Sequence, residues 1–389
     1  MSDTAASHLD DWLREIRRDL HRIPEPGFEE NLTSAYLRRQ LDRLGIAHRT
    51  AAKTGIVAWL GRESGPAVAL RADMDALPLP EKTNLPFASL HPGMMHACGH
   101  DGHMAMLLGA AALLRETALA GKVVLLFQPS EEKTGGARTM IEEGALDGVG
   151  MIFGGHLDRH FKPGEFGIEP GLICAYTDSF HITIRGKGGH AARPHETVDS
   201  IVVASLLVMS IQTLVSREVN PAYPTVVTVG RIEGGTAANV IAEHAVLEGT
   251  IRTTHPQMRQ TIIVGLRRMV ESMQVLYNAT TTLAVTEGYP PIINDPLATD
   301  IARQAAVATA GAANVQGLPY PSMGGEDFSY YLQKVPGCFV RIGSLREDLA
   351  TVPSHSPFYD FDEAALPGGA RFFARVATLA LAHLAGKPE

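Results

Sequence analysis

Apolar residues recur at helical spacing from Leu9 to Leu20 (Leu9, Trp12, Leu13, Ile16, Leu20), which predicts an amphipathic helix. A second helix is expected from Asn31 to Leu44, closed by Gly45. Short apolar strands then alternate with helices. Ala67–Leu70 leads into Arg71-Ala-Asp-Met-Asp75, an Ala- and Leu-rich helix is expected over Met104–Arg115, and Lys122–Phe127 is a continuous apolar run suited to a strand buried on both faces. A helix over Gly136–Glu143 and a strand over Met151–Phe153 continue the rhythm. This β-α-β order predicts an α/β domain with a mixed, largely parallel sheet.

From Ser179 the pattern changes. Phe180–Ile184 alternates like a half-exposed strand, Thr197–Val215 is expected as a helix, and Thr225–Ile232 and His244–Thr253 as two strands. A helix over Pro256–Tyr277 and a strand over Ala279–Glu287 complete a β-α-β-β-α-β order, the ferredoxin-like arrangement. Segments Ile301–Thr309, Phe328–Gln333 and Cys338–Ile342 then return to α/β character. The expected organisation is a catalytic domain over 1–178 and 289–389, with an inserted domain over 179–288.

Composition narrows the function. The 389 residues carry 34 Lys and Arg against 42 Asp and Glu, a formal charge of −8, with no basic block of the kind phosphate backbones require. No uninterrupted apolar run approaches the roughly 18 residues of a membrane span, and the charged first 22 residues carry no apolar secretory core. Three cysteines, Cys98, Cys174 and Cys338, are too few for a disulfide framework. A cytoplasmic protein that binds neither nucleic acid nor membrane is expected.

Histidine is the outlier. Four of the 16 histidines lie between His91 and His103, and the run His96-Ala-Cys98-Gly-His100-Asp101-Gly-His103 is dense in imidazole, thiolate and carboxylate, the usual ligands of zinc and its neighbours. Polar groups also follow apolar strands repeatedly: Asp73 and Asp75 after Val68–Leu70, Glu131 and Glu132 after Lys122–Phe127, His156 after Met151–Phe153. Ligand sites in open α/β sheets lie beyond the carboxyl ends of the strands, so one shared metal centre is expected there. The Glu131-Glu132 pair suits either a solvated acidic turn or a division of labour, with one carboxylate on metal and the other taking a proton from water.

Seven segments occur in order: RRDLHRIPEPGFEE (17–30), RADMDALP (71–78), MHACGHDGHMA (95–105), QPSEE (128–132), GKGGHAARPH (186–195), GGEDFSYY (324–331) and HSPFYDFDE (355–363). Through them the chain resembles, over essentially its whole length, the amidohydrolase branch of the aminoacylase and carboxypeptidase-G-like metallopeptidases. That branch holds hippurate hydrolases, N-acyl-amino-acid amidohydrolases and indoleacetyl-amino-acid hydrolases. The resemblance implies a lid and dimerisation role for the inserted domain, and hence a homodimer or higher assembly. It implies two divalent ions per subunit, zinc or manganese first and cobalt or nickel next, held by Cys98, His100, Glu132, His156 and His355.

Glu131 is then the general base, and Asp73, Asp75 and Asp101 orient the ligands. His190 faces the substrate carbonyl, while Asn239 and Arg252 bind the carbonyl or carboxylate end, a task for which the Arg fork is suited. Gly325 brings backbone close to the ligand, with Glu326 behind it. The implied reaction is hydrolysis of the amide of an N-acyl or N-aroyl amino acid. The runner-up is a dipeptidase or carboxypeptidase using the same centre. Two positions depart from the family pattern: Arg159 and Ala242 stand where proline is common.

Overall fold

The structure, a computed structural model, describes residues 3–133 and 135–386. The amphipathic N-terminal stretch forms α1 (Asp3–His21), which buries Leu9, Leu13, Ile16 and Leu20. It is followed by α2 (Asn31–Arg43), β1 (Ala47–Ala51), β2 (Gly55–Gly61), β3 (Ala67–Asp73), α3 (His100–Arg115), β4 (Lys122–Gln128), α4 (Gly136–Glu142), β5 (Val149–Asp158), β6 (Phe166–Gly167) and β7 (Gly171–Cys174). The next stretch contains β8 (Tyr176–Arg185), β9 (Gly189–His190), α5 (Ser200–Thr213), β10 (Thr225–Gly234), β11 (Val240–Ile241), β12 (His244–Thr253), α6 (Pro256–Tyr277) and β13 (Thr280–Glu287). The chain closes with β14 (Ile292–Asn294), α7 (Pro296–Ala310), β15 (Val315–Gln316), α8 (Ser329–Leu332), β16 (Gly337–Gly343) and α9 (Ala365–Leu384).

The chain divides into two compact units, one of Met1–Ile173, Ile292–Tyr320 and Glu326–Glu389, the other of Cys174–Pro291 and Pro321–Gly325. The first holds an eight-stranded sheet of order β1-β2-β4-β3-β5-β16-β6-β15. Its centre, β4-β3-β5-β16, is parallel throughout, while β1 and β2 add an antiparallel edge. Ala67–Leu70 of β3 and Val123–Phe127 of β4 are apolar, and both strands are almost wholly buried, as parallel sheets require. Helix α9, not anticipated from the spacing, packs Leu366, Phe372, Phe373 and Leu381 into this core. Each such side chain contributes about 1.5–3 kcal/mol on full burial.

The second unit is built on a four-stranded antiparallel sheet of order β10-β12-β8-β13, with α5 between β8 and β10 and α6 between β12 and β13. This is the anticipated ferredoxin-like order. Its core gathers Phe180, Ile182 and Leu247 from the strands with Val203, Leu207, Ile262 and Leu266 from the helices.

Two sequence expectations need correction. The α3 helix begins at His100, four residues before the apolar pattern starts, because Gly99 takes a left-handed conformation (φ 90°) that turns the chain into it. The apolar count also missed that a window within Ser200–Glu218 has mean hydropathy 1.6, so one helical segment among the described residues is long and apolar enough to cross a membrane by length and composition. Serines and a glutamine break the run. One face of that segment, Val203, Ala204, Leu207, Ile211 and Leu214, lies in the core of the second unit.

Candidate metal centre

Parallel strands place their carboxyl ends on one edge of the sheet, and there the polar residues collect. Strand β3 ends at Asp73 and leads to Asp75, β4 leads through Pro129 to Glu131 and Glu132, and β5 carries His156 within its last turns of strand. His156 is therefore a strand residue and not a loop residue, paired in register with Arg341 of β16. The early start of α3 puts His100 and His103 one turn apart at its N-terminus. His355 arrives from the stretch after β16, in a left-handed conformation (φ 65°), its N–H donating to the Ala97 carbonyl at 2.8 Å.

Cys98, His100 and His156 bring one ligand atom each to within 4.8 Å of one another, and Cys98, Glu132 and His355 do the same. Cys98 belongs to both triads. All five sequence-predicted ligands therefore converge, with the thiol in the shared position. The ring nitrogens are preset for this. His100 donates Nδ1–H to the Asp75 carbonyl at 2.8 Å, and His156 Nδ1 pairs with the Leu157 carbonyl at 2.7 Å, so each imidazole turns Nε2 inward. His100 Nε2 is buried with no hydrogen-bond partner, and Glu132 Oε1 is buried with only His355 Nε2 beside it at 3.1 Å, an arrangement that metal coordination relieves. Burial, with the charges of His103 and Arg341, holds His156 well below the ordinary imidazole range, in the neutral form that ligates. The donor set fits two cations of the transition-metal type.

Glu131 lies beside these groups, almost fully buried. Burial first, then the charges of Glu326, Glu132 and Asp327, push its carboxyl well above the usual carboxylate range. Arg71, wholly buried in β3, balances the acids. It donates to Asp73 at 2.7 Å, to Glu326 at 3.0 Å and to Asp327 at 2.8 Å. Asp73 in turn binds His103 Nδ1 at 2.6 Å, and His103 Nε2 accepts the Leu157 N–H at 3.0 Å. Both nitrogens of His103 are thus engaged within the protein, and it braces the His156 strand. Sequence reading counted His103 only among the metal-type donors of the 96–103 run and gave Arg71 no role, although a charged pair interrupting a strand otherwise buried was the available signal. Asp101 pairs with Arg17 and His21, each at 2.8 Å, which ties α1 to the start of α3.

The remaining predicted residues lie on the second unit. His190 on β9 pairs with Val240 on β11, next to Asn239, whose carbonyl accepts the Ala191 N–H at 3.1 Å. His190 Nδ1 accepts the Ala192 N–H at 3.0 Å, which leaves the ring proton on Nε2 as a donor. Arg252 is half-buried on β12, opposite Thr177 and Val226. Gly325 packs where a Cβ would stand 2.7 Å from Thr177 Cγ2, so local packing already demands glycine there. Arg159, in place of the common proline, donates to the Ala350 carbonyl, and buried Ala242 accepts the Ser200 N–H.

A cluster of soft and hard metal donors with a spare buried carboxylate, at the carboxyl edge of a largely parallel sheet, defines a metal-site hydrolase of α/β type. The chain belongs to the peptidase family M20/M25/M40, whose sequence model matches residues 69–379. It is 44% identical over 365 residues to the N-acetyl-L-cysteine deacetylase of Bacillus subtilis (strain 168), covering 92% of this chain and 86% of that protein. Against the IAA-amino acid hydrolase ILR1-like 2 of Arabidopsis thaliana it is 40% identical over 394 residues, covering 97% and 87%. The Bacillus subtilis YXEP protein, described as a dinuclear metal binding peptidase of the M20 family, superimposes with a TM-score of 0.82 at 36% identity, over 96% of this chain and 99% of that one.

Proposed function

We propose that this protein hydrolyses the amide bond of N-acyl or N-aroyl amino acids at a centre of two divalent ions, zinc or manganese in first place. The observation that carries the reading is the pair of donor triads meeting at Cys98, with Glu131 outside both and within 4.8 Å of ligand atoms of His100 and Glu132. His100 and His156 would hold one ion with Cys98, and Glu132 and His355 the other. When bound, the ions supply an acidified water and polarise the scissile carbonyl.

Glu131 takes the proton from the attacking water and returns it to the leaving amine, a role open to a buried carboxylate beside both donor triads. Asp75 and the Leu157 carbonyl hold the imidazoles in the ligating tautomer. His190 is the donor to the carbonyl oxygen through Nε2–H, and Asn239 and Arg252 are the groups for the carbonyl and carboxylate end. Gly325 offers backbone without a side chain. The small-molecule substrate is read by a homodimer.

The test is hydrolysis of a panel of N-acetyl, N-benzoyl and indoleacetyl amino acids beside free dipeptides, with and without chelator. Glu131→Gln is expected to lower kcat by about 10²–10⁴-fold while both ions stay bound. Activity that survives chelation and Glu131→Gln together overturns the mechanism, and a preference for free dipeptides moves the reading to a dipeptidase.

A further inference from the structure

The N-terminal segment around Pro24-Glu-Pro-Gly-Phe-Glu-Glu30 supplies no metal donor, yet it lies directly behind the turn that carries the two catalytic glutamates. Glu30 stands at the N-cap of α2 and makes no side-chain cap to it. Glu25 does that work, accepting the N–H groups of Leu32 and Thr33 at 3.1 and 2.9 Å. The Glu30 carboxyl is fully buried and points away from α2: Oε1 accepts the Ser130 N–H at 2.9 Å and Oε2 accepts the Thr54 hydroxyl.

Ser130 is the residue before Glu131, and it holds a left-handed backbone (φ 55°) that an L side chain rarely adopts. Such a conformation persists only where its surroundings enforce it. Two further constraints are present. The Asp75 carboxylate accepts the N–H groups of Glu131 and Glu132, each at 3.0 Å, so three successive amides are gripped by two buried acids. Gly27 fills the space behind: a Cβ there would stand 2.4 Å from Ser130 Oγ and 2.8 Å from its Cα. The same N-terminal segment is tied to the Asp75 loop, because the Ala76 N–H donates to the Glu25 carbonyl at 2.8 Å.

We infer that Glu30, with Gly27, is a positioning element for the Glu131–Glu132 turn: it holds Ser130 in its strained conformation, and thereby sets where the general base and its metal-binding neighbour point. This rests on the general-base reading of Glu131. Glu30 touches neither substrate nor metal ligand side chain, so its removal acts on turnover and not on substrate affinity.

The experiment compares Glu30→Ala, Glu30→Gln, Gly27→Ala and Glu131→Gln in the full-length, metal-loaded protein. It measures kcat and KM on an N-acetyl amino acid, and hydrogen exchange in the peptide spanning residues 129–133. Glu30→Ala is expected to lower kcat by about 10²-fold with KM within about threefold, and to speed exchange in that peptide. Glu30→Gln keeps an acceptor for the Ser130 N–H and restores kcat to within about fivefold of the parent. Gly27→Ala, which leaves every charge in place, lowers kcat by about 10-fold or more and speeds the same exchange.

Unchanged kcat and exchange in Glu30→Ala overturn the inference, and so does a Glu30→Gln protein as impaired as Glu30→Ala. Should Glu30→Ala fail to fold, Gly27→Ala decides by the same two measurements. An active Glu131→Gln protein overturns the base assignment instead, and the exchange data then judge the clamp on their own.

Discussion

Burial raises the Glu30 carboxyl to about 7, against the hydrogen bonds from Thr54 and Ser130 that favour its charge. The folded protein therefore binds a proton at Glu30 more tightly than the unfolded chain does. The sign follows: this contribution to stability is complete below the ordinary carboxylate pKa and is lost as pH rises toward 7. A shift from 4.5 to about 7 corresponds to roughly 3 kcal/mol. Urea unfolding at pH 5 and pH 8 is expected to show that loss in the parent and a much smaller one in Glu30→Gln. Equal pH dependence in the two proteins would refute it. Either protonation state leaves Oε1 able to accept from Ser130, so the clamp and the titration are compatible.

Among the elements, α1 and α3 are joined by ions and not by apolar contact alone. Arg17 is buried and donates to Asp101 at 2.8 Å and to Asp360 at 2.6 Å, while its guanidinium lies 4.4 Å from the Phe361 ring centre. Asp101 follows His100 at the very start of α3, so this tie fixes the angle at which the helix presents its ligand. Removing one partner leaves the other charged in a dry interior, a loss of about 3–5 kcal/mol. Arg17→Met is thus expected to lower the unfolding midpoint strongly, and Arg17→Met with Asp101→Asn and Asp360→Asn to recover part of the loss. A single variant as stable as the parent would show that water reaches the site.

For the whole molecule, the second unit leaves Ile201, Val202, Leu206 and Met209 of α5 exposed, with Met209 at 70%. Strand β10 pairs only with β12 among the described strands, and its Val226 and Ile232 are exposed as well. An open strand edge beside apolar side chains favours pairing with another chain. The homodimer proposed above would use these surfaces. On that proposal Leu206→Glu combined with Met209→Glu converts a homodimeric parent to a monomer in sedimentation velocity, and a monomeric parent or an unchanged sedimentation coefficient would rule these residues out.

Much of this was readable along the chain. The apolar run Lys122–Phe127 and the density of donors between His96 and His103 are local facts, set by neighbours within a few positions, and they identified strand, helix and metal-type residues directly. The same locality explains what escaped. The start of α3 depends on the backbone of Gly99, and the first-turn histidines carry no apolar signal. Arg71 reads as an odd charge in a strand until Asp73, Glu326 and Asp327, two of them more than 250 positions away, are brought around it. The resemblance carried by the sequence motifs named five metal donors. Which of them stand together, which nitrogen of each histidine faces inward, and which carboxyl grips the Glu131 turn are distances across the fold, and a polypeptide acquires those only when distant segments pack.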